Sequence, residues 1–360
     1  MPLTRRTFLA SLAAAGDPLE QVDVFTGGKD GYHTYRIPSL LVTKRGTLLA
    51  FIEGRKDDSR DHGDIDLLVK RSSDGGRTWS AQQIIHEEGG AAKVTIGNPC
   101  PVVDEGNGTI WLPFCRDNDD VFITSSSDDG VNWSKPKLIT SAVKKPGWGW
   151  YATGPGVGIQ LRHGRHKGRL VIPCDHGAEH EGKLARFSHV FFSDDRGSTW
   201  QLGGNSAPHT NESQVVERSD GSLLLNMRNH LGRDGGQPDL AGRRAIATSR
   251  DGGVTWSERQ FDAALIEPVC QASLIRYHRK TLLFSNPAST KSRARMTVRL
   301  SRDEGKTWAM SKLLNEGMSA YSCLARLPDG SVGCLYERGR ERYQELVTFA
   351  RFPLSWLNRT

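Results

Sequence analysis

Apolar and polar positions alternate along most of this chain in short runs, and turn residues cut those runs at regular intervals. Leu40–Thr43 is followed by Lys44-Arg45-Gly46 and then by Thr47–Ile52. Val215–Glu217, Arg218–Gly221 and Ser222–Met227 repeat the arrangement. So do Leu324–Leu327, Pro328-Asp329-Gly330 and Ser331–Tyr336. Runs of four to eight apolar or β-branched residues bounded by Gly, Pro and Asp read as hairpin strands. Sustained helical periodicity is nearly absent. Leu346–Trp356 is strongly apolar and reads as a further strand; whether it or the segment near Val22–Phe25 completes the architecture stays open.

A second pattern punctuates the first. Five octapeptides share the form Ser-x-Asp-x-Gly-x-Thr/Asn-Trp, ending at Trp79, Trp133, Trp200, Trp256 and Trp308. In such a box the Asp and Ser side chains can bond nearby amides and close a tight turn. The glycine supplies a left-handed position, and the tryptophan anchors the turn in apolar surroundings. This is a folding element with no catalytic role. The tryptophans lie 54, 67, 56 and 52 residues apart, and 52 residues follow the last. Six units of roughly 57 residues result, each reading strand, turn, strand, loop, strand, box, strand. Repeats of this size with four strands predict an all-β, six-bladed β-propeller with four-stranded antiparallel blades. It would occupy residues 17–360 as one domain.

Composition sharpens this picture. Of 360 residues, 39 are glycine and nine are tryptophan, five of them in the boxes. The chain is too apolar for disorder, and no run approaches a membrane span. The net charge of +7 is thinly spread and announces no nucleic-acid partner. Arg5-Arg6, a short apolar run and small residues at Ala13 and Ala15 look like a twin-arginine export signal over residues 1–16. Its removal would leave +5 and imply a periplasmic or secreted location. The six cysteines, Cys100, Cys115, Cys174, Cys270, Cys323 and Cys334, are dispersed, so buried free thiols are expected and a zinc site is not.

Strand direction locates any site. The start of each unit's first strand, the end of its second and the start of its third share one end of a propeller, and the boxes lie at the other. Arg36, Arg55, Asp61, Glu212, Arg228, Arg293, Tyr321 and Glu337 all fall at the non-box end. Charged groups there are costly unless paired or bound to a charged ligand.

With Tyr35-Arg36-Ile37-Pro38, Asp61-His-Gly-Asp64-Ile-Asp66, Asn211-Glu212-Ser213 and Ala320-Tyr321-Ser322-Cys323 added to the boxes, the chain resembles the exo-α-sialidase (neuraminidase) family with Asp-box repeats. The resemblance implies that Arg36, Arg228 and Arg293 grip a sialic acid carboxylate. Guanidinium suits that task, being permanently charged and bidentate. It implies Tyr321 as nucleophile, Glu212 as its base, and Asp61 as general acid and then base. Glu337 would hold Arg36, and Arg55 would line the pocket. Sialidases are the tyrosine exception among glycosidases. A neutral phenol avoids driving a carboxylate against the carboxylate on the anomeric carbon. Asp61 would need a pKa raised towards working pH.

Further substrate contacts are expected among Asn98, Asp117, Trp150, Tyr151 and Asp175, with Trp148, Arg116 and His176 at equivalent positions. The loop from Asp175 to Arg186, in the longest box spacing, is a candidate specificity loop. No cofactor and no metal are implied. The expected partners are sialylated glycoproteins, glycolipids or oligosaccharides, met by a monomer without nucleic acid or membrane span. A trans-sialidase and a non-catalytic glycan-binding propeller are the competing readings.

Overall fold

A computed structural model describes residues 19–358. The proposed export signal, residues 1–16, lies outside them. Among the described residues antiparallel strands dominate, with two four-residue helices and three short 3-10 turns. The hairpins follow the apolar runs closely: Thr34–Val42 pairs with Leu48–Arg55, and Thr210–Glu217 with Leu223–Asn229.

The expectation of six four-stranded blades is overturned by the strand pairing. The described strands form five sheets: two of four strands, two of five, and one of seven. Four are therefore blade-like units, and the remainder of the chain makes one continuous sheet in a propeller-like arrangement. The cause lies in Met310–Arg326, a single strand of 17 residues. Its first half pairs with Ala294–Ser301 (Met310 opposite Leu300) and its second half with Val332–Gly339 (Arg326 opposite Val332). A new unit was expected to start its first strand at Tyr321, yet the backbone stays extended through Asn315-Glu316-Gly317 and the sheet never separates. The two five-stranded sheets deviate differently, because their inner strand is split in two. Ile96–Gly97 and Val102–Val103 both pair with Ile110–Arg116. Tyr151–Thr153 and Ile159–Gln160 both pair with Leu170–His180.

Both terminal candidates contribute to closure. Glu20–Thr26 pairs antiparallel with Leu346–Phe352, so the first described strand becomes the edge of the last sheet. The apolar tail ends its strand at Phe352 and finishes in a 3-10 turn, Leu354–Asn358, that buries Trp356 and Leu357.

The boxes are turns that fasten neighbouring sheets. In the first, Ser72 Oγ donates to Asp74 Oδ1 (2.8 Å), and Asp74 Oδ1 accepts the Thr78 amide (3.0 Å). Asp74 Oδ2 accepts the Thr78 hydroxyl (2.6 Å), and the Gly76 amide donates back to Ser72 Oγ (2.9 Å). Gly76 sits at φ +91°, where a side chain is strained, and an added Cβ would overlap the Phe349 ring. The corresponding glycines lean on Leu49, Trp111, Val190 and Leu224 in the other boxes. Each box thus presses on the sheet that precedes it, and the first presses on the last. The preceding box position also adopts positive φ, at Asp129, Arg196 and Glu304 as well as at glycines. That second left-handed residue carries no sequence signature.

Candidate active site

Three inner strands bring the expected residues to one end of the ring, opposite the boxes. Arg36 lies in Thr34–Val42, Glu212 in Thr210–Glu217 and Tyr321 in Met310–Arg326. Tyr321 was expected to begin its strand. It lies well inside the strand instead, because the break before it does not exist.

Glu337 is fully buried and organises the floor. Its Oε1 accepts Arg36 Nε (3.1 Å) and the Ile37 amide (3.0 Å). Its Oε2 accepts Arg36 Nη2 (3.2 Å) and the Tyr321 amide (3.1 Å). One carboxylate thereby fixes an arginine side chain and the backbone of the tyrosine. The Arg36 guanidinium lies over the Tyr321 ring, 4.8 Å from its centroid.

The phenol is enclosed by charge. Tyr321 donates its hydroxyl proton to Glu212 Oε1 in a short hydrogen bond. Arg228 Nη1 donates both to Glu212 Oε2 (2.6 Å) and to the Tyr321 oxygen (3.3 Å). Arg293 stands 5.7 Å from the same ring. All three guanidiniums thus converge on one tyrosine that is only 5% exposed. Burial, followed by the Glu212 charge, pushes the Tyr321 hydroxyl well above the ordinary phenol range, and the arginines only partly counter this. The phenol is neutral at neutral pH. Burial would lower the Arg228 pKa, but Glu212 and Tyr321 outweigh it and hold the guanidinium charged. Arg293 has no carboxylate partner among the described residues; it donates to the Tyr343 hydroxyl (3.3 Å) and the Val269 carbonyl (3.4 Å). The neighbouring Arg295 points elsewhere, 3.9 Å from Glu316 and half exposed.

Asp61 sits at the mouth, its side chain 64% exposed, with Oδ1 2.9 Å from Arg55 Nη1 and 3.5 Å from Arg36 Nη1. Partial burial raises its pKa, yet Arg55 and Arg36 outweigh that, and the net shift is downward. This corrects the expectation of a raised value. Two guanidiniums face this one carboxylate, although each also has a buried carboxylate partner, Glu337 for Arg36 and Glu53 for Arg55. Arg55 is itself held by Glu53, whose Oε2 accepts from both Arg55 Nη2 (2.7 Å) and Nε (3.2 Å). Burial raises the Glu53 pKa against the opposing pull of Arg55.

The other expected contacts divide. Asn98 is 9% exposed at the rim of the Glu53 cluster; its backbone N–H donates to Glu53 Oε1 (2.9 Å). Trp150 is 42% exposed, with its ring 5.7 Å from that of His62. Tyr151 is fully buried, its hydroxyl 2.9 Å from His189 Nε2 and 3.3 Å from the Val143 carbonyl; it faces the core. Asp117, at φ +53° in the turn after Ile110–Arg116, is tied to Thr95: its Oδ1 accepts the Thr95 amide (2.9 Å) and its own amide donates to the Thr95 carbonyl (2.8 Å). Asp175 is 1% exposed, and among the described residues neither of its carboxyl oxygens has a hydrogen-bond partner. Burial, and then the charge of Glu212, raise its pKa well above the carboxylate range. Among the described residues no group of three or more His, Cys, Asp or Glu could hold a metal ion. No described helix is long and apolar enough to cross a membrane.

Two participants escaped the sequence reading. Glu53 lies two residues before Arg55 on one strand, hence on the same face, and that spacing could have flagged it. Tyr343 stands between Arg36 (5.3 Å) and Arg293 (5.4 Å) from a loop without periodicity, where no sequence signal exists.

Residues 46–334 match a BNR repeat-like domain. An exo-alpha-sialidase of Aspergillus fumigatus is 31% identical over 91% of this chain and 86% of its own length. The chain belongs to the sialidase family. A sialidase of Micromonospora viridifaciens is 34% identical over 97% of this chain. This chain spans 56% of that relative's length and 62% of that of a Bacteroides fragilis sialidase. Among solved structures, a Hadza microbial sialidase superposes with a TM-score of 0.82 at 32% identity, covering 94% of this chain and 69% of that one.

Proposed function

We propose that the chain is a retaining exo-α-sialidase that releases terminal sialic acids from glycoconjugates through a sialyl-tyrosine intermediate. The observation that carries this reading is the Tyr321 hydroxyl, bonded to Glu212 and surrounded by three guanidiniums. Arg36, Arg228 and Arg293 bind the substrate carboxylate, with Arg293 the one guanidinium of the three that has no carboxylate partner among the described residues. The phenol is neutral because it is buried, so it does not repel that carboxylate. During attack its proton passes to Glu212, and the bond from Tyr321 oxygen to the anomeric carbon forms as the glycosidic bond breaks.

Asp61 gives its proton to the departing oxygen. In the free protein Arg36 and Arg55 hold its pKa low. The substrate carboxylate neutralises Arg36, and the leaving group excludes water from the mouth. Both changes raise the Asp61 pKa and favour its acid form when it is needed. In the second step Asp61 takes a proton from water, the hydroxyl attacks the anomeric carbon as the bond from that carbon to the Tyr321 oxygen breaks, and Glu212 returns its proton to the departing Tyr321 oxygen. The anomeric configuration is retained.

The test is turnover of a fluorogenic α-sialoside by the wild type, Tyr321→Phe and Asp61→Ala. Turnover should vanish in Tyr321→Phe. An unchanged rate in that variant would refute the covalent route. Proton NMR of the first-formed sugar should show the α anomer, and initial release of the β anomer would equally overturn it.

A further inference from the structure

Asp61 is placed by its loop more than by its own contacts. Its side chain is largely exposed, and its two guanidinium neighbours, Arg36 and Arg55, are each held by another carboxylate. The loop, residues 56–64 between Leu48–Arg55 and Ile65–Ser72, carries no aliphatic side chain, so burial of apolar surface cannot shape it. Hydrogen bonds and ion pairs take over that task. The Lys56 amide donates to the Asp64 carbonyl (3.1 Å), and the Lys56 ammonium lies 3.1 Å from both Asp64 and Asp66, which closes the base of the loop. Arg55 Nη1 donates to the Ser59 carbonyl (2.7 Å) on the side leading into Asp61. On the side leading out, Gly63 meets a residue from another part of the chain. Thr95 Oγ1 accepts the Gly63 amide proton (3.0 Å) and donates to the Gly63 carbonyl (3.1 Å). Thr95 is 3% exposed, and its backbone is fixed on both sides. Its N–H donates to Asp117 Oδ1 (2.9 Å), and its carbonyl accepts the Asp117 N–H (2.8 Å). A strut thus runs from the turn after Ile110–Arg116, in one sheet, through Thr95 to the loop that joins two strands of the next.

We propose that Thr95, braced by Asp117, is a positioning residue for Asp61: it holds the loop where the carboxyl meets the departing oxygen. The inference rests on the acid role of Asp61 proposed above. When the substrate carboxylate draws on Arg36, Asp61 loses part of its own hold, and the anchor at Gly63 keeps the carboxyl within reach. A displacement of about 1 Å is enough to cost up to about a hundredfold in rate. The loss falls on leaving groups that need a proton and spares those that depart without one.

The experiment compares kcat/KM for methyl α-sialoside, whose alkoxide needs a proton to depart, with that for 4-nitrophenyl α-sialoside, whose phenolate does not. The ratio of the first to the second is measured for the wild type, Thr95→Val and Thr95→Ser. Valine keeps the shape and removes the hydroxyl, and it should lower the ratio about tenfold through the methyl substrate. Serine restores the hydroxyl and should return the ratio to within about twofold of wild type. An unchanged ratio in Thr95→Val, or an equal loss on both substrates, overturns the proposal. So does a serine variant as impaired as the valine one. Should Thr95→Val not fold, Asp117→Gly carries the test. Glycine accepts the φ of +53° there and removes the carboxylate that fixes the Thr95 amide, so the ratio should again fall, and an unchanged ratio refutes the strut. Asp61→Ala separates the two readings. If it slows both substrates alike, or the wild type cleaves neither, the acid role of Asp61 fails and the strut falls with it. A ratio lowered in Asp61→Ala but not in Thr95→Val removes the strut alone.

Discussion

Replacing Glu337 by glutamine tests the floor of the site directly. The carboxylate accepts four hydrogen bonds, two at each oxygen, from Arg36 Nε, the Ile37 amide, Arg36 Nη2 and the Tyr321 amide. A glutamine amide keeps one acceptor oxygen and puts a donor NH2 in place of the other. Whichever way it turns, it faces two donors with a donor. If the NH2 replaces Oε2, the Tyr321 amide and Arg36 Nη2 lose their partner in a fully buried setting. Losing one partner of a buried ion pair costs about 3–5 kcal/mol. For the roughly 340 described residues, an unfolding entropy of about 2.1 cal/mol/K per residue totals about 0.7 kcal/mol/K. The melting temperature should therefore drop by about 4–7 °C, measured by scanning calorimetry. Because Arg36 and Tyr321 share this one anchor, kcat/KM for a sialoside should fall together with Tm. A Glu337→Gln protein that melts within 1 °C of wild type and turns over normally would show that the carboxylate does not organise the site.

Other consequences concern stability. Asp128→Ala should lower Tm with little change in sialoside turnover, because its bonds to Ser126 and Asn132 close a box remote from Tyr321; lost turnover at unchanged Tm contradicts the structural role of the boxes. Donors within the boxes hold the carboxyls of Asp128, Asp251 and Asp303 down to about 2; at Asp251 and Asp303 they do so against burial. These folded values lie below the unfolded value near 4, so the associated stability is full above about pH 4 and is lost as pH falls towards 2. Acid unfolding followed by circular dichroism should steepen in that window, and less so when a box aspartate is replaced by asparagine. His176, fully buried with Nδ1 3.0 Å from His189 Nδ1, is pushed down to about 3 by burial, with help from Lys145 and Lys144. Its folded value lies below the unfolded value near 6.5, so stability should decline as pH falls from 6.5 towards 3, and His176→Leu should flatten that decline. All six cysteines are buried and unpaired, so a reductant should leave Tm unchanged.

Much of this architecture is visible in one dimension because its determinants are local. A strand needs a short apolar run, a hairpin needs a glycine at its turn, and a box needs Ser, Asp and Gly at fixed offsets. All act within a few residues, and the sequence alone determined the all-β character, the hairpins and the five boxes. It also placed Arg36, Asp61, Glu212, Arg228, Arg293, Tyr321 and Glu337 at one end, since strand direction follows from counting strands. Sheet boundaries are another matter. Whether Asn315-Glu316-Gly317 breaks a strand depends on partners at Ala294 and Gly339 on either side, so only the tertiary structure could join seven strands into one sheet. Burial behaves likewise. Tyr151 and Trp150 are adjacent in sequence, yet one faces the core and the other solvent, as the split inner strand dictates. The low pKa of Asp61 arises from Arg36 and Arg55, side chains whose distances no spacing encodes. Electrostatics decays over ångströms of space rather than positions along a chain. The residues that gather at this end were therefore legible, and their protonation and the outline of their pocket were not.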